Sequence, residues 1–248
     1  MHLELIETMR TLTGIDGLDT MLNGGIPKGR VVLVCGGPGT GKTTLALQFL
    51  VNGYTKYGEK GIFVSLDEPL WKLFEEAKSY GWDLQKLQKE GGVSFIFEGN
   101  QGNPRTFVDS IINSIKKEIH NIDAQRISID ALTYLTILYP DIIARRSMVR
   151  KLFDALAETS ATCLVTDEVR MDGGRLILLE EYLADGVILL QTSQVERSQV
   201  RTIEIEKMRG TPVDDQIRPY IIEDKGIRVL SETDILTFAA SFLMKKGR

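Results

Sequence analysis

The chain has 248 residues, 43% hydrophobic and 26% charged, enough to bury a substantial core in one α/β unit. Lys and Arg total 30 against 34 Asp and Glu, so the net charge of −4 offers no global attraction to nucleic acid. There is no basic-then-apolar leader at Met1-His2-Leu3-Glu4-Leu5 and no apolar run near 18 residues, so we expect neither export nor membrane spanning, and a cytoplasmic protein.

Apolar, β-branched runs at 31–35, 62–66, 93–97, 127–129, 163–166 and 187–190 predict strands. Helix-periodic segments at 43–54, 70–80, 104–119 and 142–158 separate most of them. Runs this apolar are covered on both faces, so the expected fold class is α/β, a mostly parallel twisted sheet with helices on both sides. After Gly186 the texture changes to alternation in Thr202-Ile203-Glu204-Ile205-Glu206-Lys207-Met208, the mark of a strand solvated on one face. Short strands at 219–222 and 226–230 then predict an extension after the parallel core. A capping start at Ser231-Glu232-Thr233-Asp234 predicts a closing helix to about residue 245. Cys35 and Cys163 fall in strand-like runs and read as buried, reduced thiols.

The most informative segment is Gly36-Gly37-Pro38-Gly39-Thr40-Gly41-Lys42-Thr43-Thr44, which carries G-x-x-x-x-G-K-[ST] between a predicted strand and a predicted helix. Glycines let successive N–H groups converge on a phosphate chain, and the helix N-terminus adds partial positive charge. Lys42 can reach the β- and γ-phosphates, and the Thr43 hydroxyl can hold Mg²⁺. The bland alternative is a glycine-rich turn; the flanking elements favour a nucleoside triphosphate site.

Ligands of a parallel sheet sit at the carboxyl ends of its strands, so acids that end apolar runs are candidates. Asp130 ends Arg126-Ile127-Ser128-Ile129 and can hold Mg²⁺, directly or through water; the alternative is a cap on the next helix. Asp67 and Glu68 end Phe63-Val64-Ser65-Leu66, where a carboxylate can deprotonate the water that attacks the γ-phosphate. The alternative for Glu68 is again capping, before Pro69. Spacing does not choose between Asp67 and Glu68.

Thr13-Gly14-Ile15-Asp16-Gly17-Leu18-Asp19, Gly24-Gly25-Ile26-Pro27-Lys28-Gly29, the phosphate loop, Gln48-Phe49-Leu50 and Lys207-Met208-Arg209-Gly210-Thr211 together resemble KaiC-like ATPases of the RecA superfamily. The resemblance covers 13–211 and implies a RecA-like P-loop core within one domain over 1–248, with strands and a helix appended after about 212. It implies ATP and Mg²⁺ as ligands and a hexameric ring with nucleotide between neighbours. It also implies that Lys207 and Arg209 contact a neighbour's γ-phosphate. From the alternating strand that ends at Gly210-Thr211, we expect both side chains to leave one face of an unrestrained tip. Clock proteins of the family hold two such domains and a Ser-Thr pair for self-phosphorylation. Here Glu181-Tyr182 stands in that place, so a circadian role is not expected.

Two functional classes compete. One is a slow ATPase whose nucleotide state governs assembly or the binding of an unidentified protein partner. The other is a DNA-acting relative in recombination or repair, for which Arg145-Arg146, Arg150-Lys151 and the loop Arg170-Met171-Asp172-Gly173-Gly174-Arg175 would be the grip. The bases near 145 also suit a solvated helix face, and only Tyr134, Tyr139 and Phe153 stand nearby for base stacking. A small-molecule kinase would need an acceptor pocket that the sequence does not display.

Overall fold

The computed structural model describes residues 9–99, 104–169, 177–195, 198–233, 235, 237 and 238. The chain opens with β1 (Arg10–Thr11), α1 (Leu18–Met21) and β2 (Ile26–Pro27), where β1 and β2 form a small antiparallel sheet. Then follow β3 (Val31–Gly36), α2 (Lys42–Tyr57), β4 (Gly61–Ser65), α3 (Leu70–Lys78), α4 (Leu84–Lys89), β5 (Val93–Phe97), α5 (Pro104–Ile122), β6 (Arg126–Asp130), α6 (Leu132–Ile137) and α7 (Ile142–Ala157). The remainder is β7 (Thr162–Glu168), α8 (Leu179–Leu183), β8 (Gly186–Val195), β9 (Ser198–Met208), β10 (Arg218–Glu223) and β11 (Gly226–Val229).

One nine-stranded sheet organises these elements in the order β11-β10-β9-β8-β3-β7-β6-β4-β5. From β8 to β5 neighbours run parallel, and from β8 to β11 they run antiparallel, as the change of texture after Gly186 predicts. Every residue of β3 is buried, because the strand lies at mid-sheet with an apolar layer on each face. One layer packs α2 on Val32, Val34, Phe63 and Leu164; the other packs α5 and α7 on Leu33, Val64, Ile129 and Val165. The sheet is thus covered on both sides, an α/β fold with an antiparallel extension.

Alternation in β9 has the expected consequence: Ile203 and Ile205 are buried while Glu206 is exposed. Cys35 and Cys163 are buried free thiols. The expected closing helix lies almost wholly outside the described residues, as does the loop 170–175.

Two sequence features prove to be scaffold. Asp19 accepts from the Thr13 amide at 2.7 Å and the Gly14 amide at 3.0 Å, folding the Thr13–Asp19 stretch into a closed turn. Asn52 and Lys56 of α2 then donate to the Gly14 carbonyl at 2.8 and 2.7 Å, so the turn is riveted to the helix behind the phosphate loop. On the far side of α2, the fully buried Arg126 pairs with Glu59, with Nε donating at 2.7 Å, and donates to the Phe49 carbonyl at 2.9 Å. A buried guanidinium is tolerable only with such partners.

Candidate functional site at the phosphate loop

The loop leaves β3 at Gly36, where a side chain could not be placed: a Cβ would stand 2.6 Å from both the Leu190 carbonyl of β8 and the Thr40 hydroxyl. Gly41 precedes α2 with φ +88°, a left-handed value that costs an L side chain free energy. Between them Gly37 and Gly39 face open space, with nothing within 4 Å of a Cβ. The backbone therefore encloses a cradle without side chains, which suits a phosphate chain.

Lys42, 9% exposed, donates to the Gly37 carbonyl at 3.0 Å across the loop. Burial pushes its ammonium pKa down, opposed by the carboxylates of Glu168, Asp130 and Asp167. Thr43 donates to Asp130 at 2.8 Å, and Thr166 donates to the other carboxylate oxygen. Burial pushes the Asp130 carboxyl up, while these two hydroxyls pull it down. Asp130 does not cap α6, whose N-cap is Ala131 with no side-chain hydrogen bond, so the capping alternative is not what the structure adopts. An aligned hydroxyl and carboxylate form a hard, all-oxygen donor set that fits Mg²⁺ with part of its water shell.

β4 ends beside β6, pairing Ser65 with Asp130, which brings Asp67 and Glu68 to the same edge. Asp67 is exposed. Glu68 forms an ion pair with Lys72 one helical turn on, and Pro69 is the N-cap of α3, so Glu68 is no cap either. Ser65 donates to the Glu68 carbonyl at 2.5 Å and fixes the turn that presents the two acids.

The sequence reading missed a third acidic end. Strand β7 runs two residues beyond 166, and its Asp167 and Glu168 pair with Cys35 and Gly36, directly beside the loop. Asp167 is 3% exposed; it accepts from Thr133 at 2.5 Å and from the Glu168 amide at 2.9 Å, and burial pushes its carboxyl up to about 7. Asp167 and Glu168 too end an apolar run, but by composition that run stops at Thr166. Also missed was the support behind the loop. Tyr220 of β10 donates to the Thr40 carbonyl, Ile222 lies against Gly41, and Tyr80 meets the Thr44 hydroxyl at 3.3 Å.

Lys207 and Arg209 correct an expectation: they are not an unrestrained tip. Lys207 donates to the carbonyls of Glu181 and Ala184 at 2.9 and 2.7 Å, and Arg209 donates to that of Tyr182 at 3.2 Å. The last turn of α8 offers free carbonyls, and cations satisfy them. Arg209 lies in register with Asp185 and Val31, five residues along β3 from Gly36, or about 17 Å from the loop at strand rise. It cannot reach its own subunit's phosphate site.

Of the bases weighed for nucleic acid, Arg145 donates to the Tyr139 carbonyl at 3.1 Å, Arg150 pairs with Asp154 and Lys151 with Asp109. That is the pattern of a solvated helix face. No helix among the described residues is long and apolar enough to cross a membrane.

Comparison with known proteins agrees with this geometry. A family model described as "ATPase: KaiC" matches residues 11–234. The chain is 34% identical over 229 residues to circadian clock protein KaiC2 of Synechocystis, covering 90% of this chain and 40% of that protein. It thus spans about two fifths of the clock relatives' length. A UPF0273 protein of Methanopyrus kandleri is 34% identical over 236 residues, with 89% of this chain and 91% of the relative covered. The crystal structure of a KaiC-like protein from Pyrococcus horikoshii OT3 superposes with a TM-score of 0.81 at 34% identity, over 90% of this chain and 99% of the other. A family model over residues 11–234, relatives one third identical over about nine tenths of the chain and a fold match at a TM-score of 0.81 place the chain in the KaiC family of ATPases.

Proposed function

We propose that the chain binds Mg·ATP in the phosphate loop and hydrolyses it slowly at the interfaces of a homo-oligomeric ring, a hexamer by family resemblance, within one domain over 1–248. The observation that carries this is the Thr43–Asp130 hydrogen bond at the foot of a cradle that Lys42 crosses. Gly36 to Thr44 hold the phosphates, and Lys42 neutralises the β- and γ-oxygens. Thr43 and Asp130 hold Mg²⁺, which supplies charge neutralisation when bound. Asp67 and Glu68 activate water; Glu68, whose charge acts on Asp130 at the site, is the better placed of the two.

Lys207 and Arg209 belong to the neighbour's site. Arg209's position at the opposite end of β3 from its own loop supports a contact in trans, with Lys207 two residues before it in register with Leu33, and arginine's planar fork suits phosphate oxygens. ATP bridging two subunits would then govern ring assembly and with it the binding of a protein partner.

Mixing tests the reading. Subunits with Arg209→Ala and subunits with Lys42→Ala are expected to be inactive alone. Mixed one to one, they should regain about one quarter of the wild-type rate, the fraction of head-to-tail interfaces that join an intact loop to an intact finger. An Arg209→Ala protein that hydrolyses ATP at the normal rate refutes the trans contact.

A further inference from the structure

Asp185, in the short link between α8 and β8, joins three segments distant in sequence. Its amide donates to the Val31 carbonyl at 2.9 Å, and one carboxylate oxygen accepts from the Val31 amide at 3.2 Å, closing a ring onto the first residue of β3. Its carbonyl accepts from the Arg209 amide at 2.9 Å. The other carboxylate oxygen accepts from Arg30 at 3.3 Å and stands 3.7 Å from the Arg209 guanidinium. Every polar atom of Asp185 is therefore committed to the start of β3 or to the end of β9.

The exposures of the pair differ in a way that suits presentation. The Asp185 side chain is 17% exposed and that of Arg209 is 52% exposed. Both line a cavity of ≈ 560 Å³ at the foot of the sheet, together with Lys28, Arg30 and Asp154. Three cations crowd this wall, and Lys207 lies two residues from Arg209. Like charges this close repel and would splay their side chains unless a carboxylate stands between them.

We propose that Asp185 is a positioning residue for the contact in trans: it anchors the backbone beneath Arg209 and holds the guanidinium at the cavity mouth, where a neighbour's triphosphate can enter. It touches no reacting atom. This inference rests on the reading of Arg209 as a finger and adds the residue that aims it. A second consequence follows from the ring closed on Val31. The finger of one interface and the phosphate loop of the next are attached to opposite ends of the six-residue strand β3.

The test separates an effect in trans from an effect on the subunit's own loop. Asp185→Asn keeps size and loses charge. We expect its rings to lose turnover tenfold or more, while affinity for a fluorescent ATP analogue stays within about twofold. Mixed one to one with Lys42→Ala, Asp185→Asn subunits should recover about one quarter of the wild-type rate, because their intact loops then meet an intact finger and clamp. The double variant Asp185→Asn/Lys42→Ala, mixed with Arg209→Ala, should recover at most about a tenth of that. Asp185→Glu, which retains the charge, should keep more turnover than Asp185→Asn. If Asp185→Asn does not fold, Asp185→Ser, which keeps an acceptor for the Val31 amide, takes its place in the same mixtures. Normal turnover in the folded variant overturns the proposal. So does lost turnover that mixing with Lys42→Ala fails to restore, since the defect then lies in the variant's own loop. The Arg209→Ala control distinguishes the remaining case: full activity there removes the finger itself, whatever Asp185→Asn does.

Discussion

Replacing Thr166 by Val removes one hydroxyl from the pair that aligns Asp130 and leaves a side chain of nearly the same shape. Thr166 is fully buried in β7 and valine fills nearly the same volume, so the variant opens no cavity. What is lost is a hydrogen bond to a carboxylate, a class that contributes about 1.5–3 kcal/mol. Thr43 still donates to the other oxygen at 2.8 Å, so Asp130 stays in place but free to rotate about that contact. Taking the lower bound, loss of about 1.5 kcal/mol from metal affinity corresponds to a rise of roughly tenfold in half-saturating Mg²⁺. The assay is phosphate release at saturating ATP against free Mg²⁺, with a melting curve alongside. An unchanged Mg²⁺ midpoint in a folded Thr166→Val protein would refute the claim that Asp130 and its hydroxyl partners form the metal site.

The two acids after β4 should separate binding from turnover, because a base acting on water adds little to ground-state affinity: Glu68→Gln is expected to cut turnover 10²-fold or more, Asp67→Asn less, with nucleotide affinity retained. Equal phosphate release by the wild type and the double variant would remove both from the mechanism. Asp167 makes stability depend on pH. Its carboxyl titrates near 7 in the fold, against about 3.9 when unfolded, so between those values the folded state holds the extra proton. Stability therefore falls as pH rises from about 4 to about 7, by up to ~1.4 kcal/mol per pH unit, and is level above that window. The buried Glu180 and the neighbouring Glu168 act in the same direction, and Asp167→Asn should flatten the slope in denaturant titrations at pH 5, 6 and 8, leaving the part that Asp130 contributes. Finally, Arg126→Ala should cost about 3 kcal/mol by urea unfolding, through loss of its buried pairing with Glu59 and its bond to Phe49; a change below 1 kcal/mol would show that the guanidinium is not structural.

The parts of this molecule that could be read from sequence are those whose chemistry is local. Val31 to Cys35 declare a buried strand by composition, and the glycines and Lys42 declare the loop by spacing; both lie where expected. The register of β6 against β4 was not legible, yet the rule that ligands collect at carboxyl ends sufficed to select Asp130, Asp67 and Glu68. The short helix α4 carries too few turns for a periodic signal, and α6 is legible only as the helix that Asp130 would cap. The tethering of Lys207 was invisible for another reason: its partners are backbone carbonyls of α8, which have no residue identity to read. Tyr220 and Asp185 act through contacts 180 and 154 residues away in the chain, set by sheet order alone.

Steady-state phosphate release with Mg·ATP, by the wild type and by Lys42→Ala, measures ATP turnover at the phosphate loop most directly. The wild type should release phosphate, more per subunit as protein concentration rises and rings assemble, and folded Lys42→Ala should release none at any concentration. Release by Lys42→Ala at the wild-type rate, or no release by the wild type, would contradict turnover at that loop.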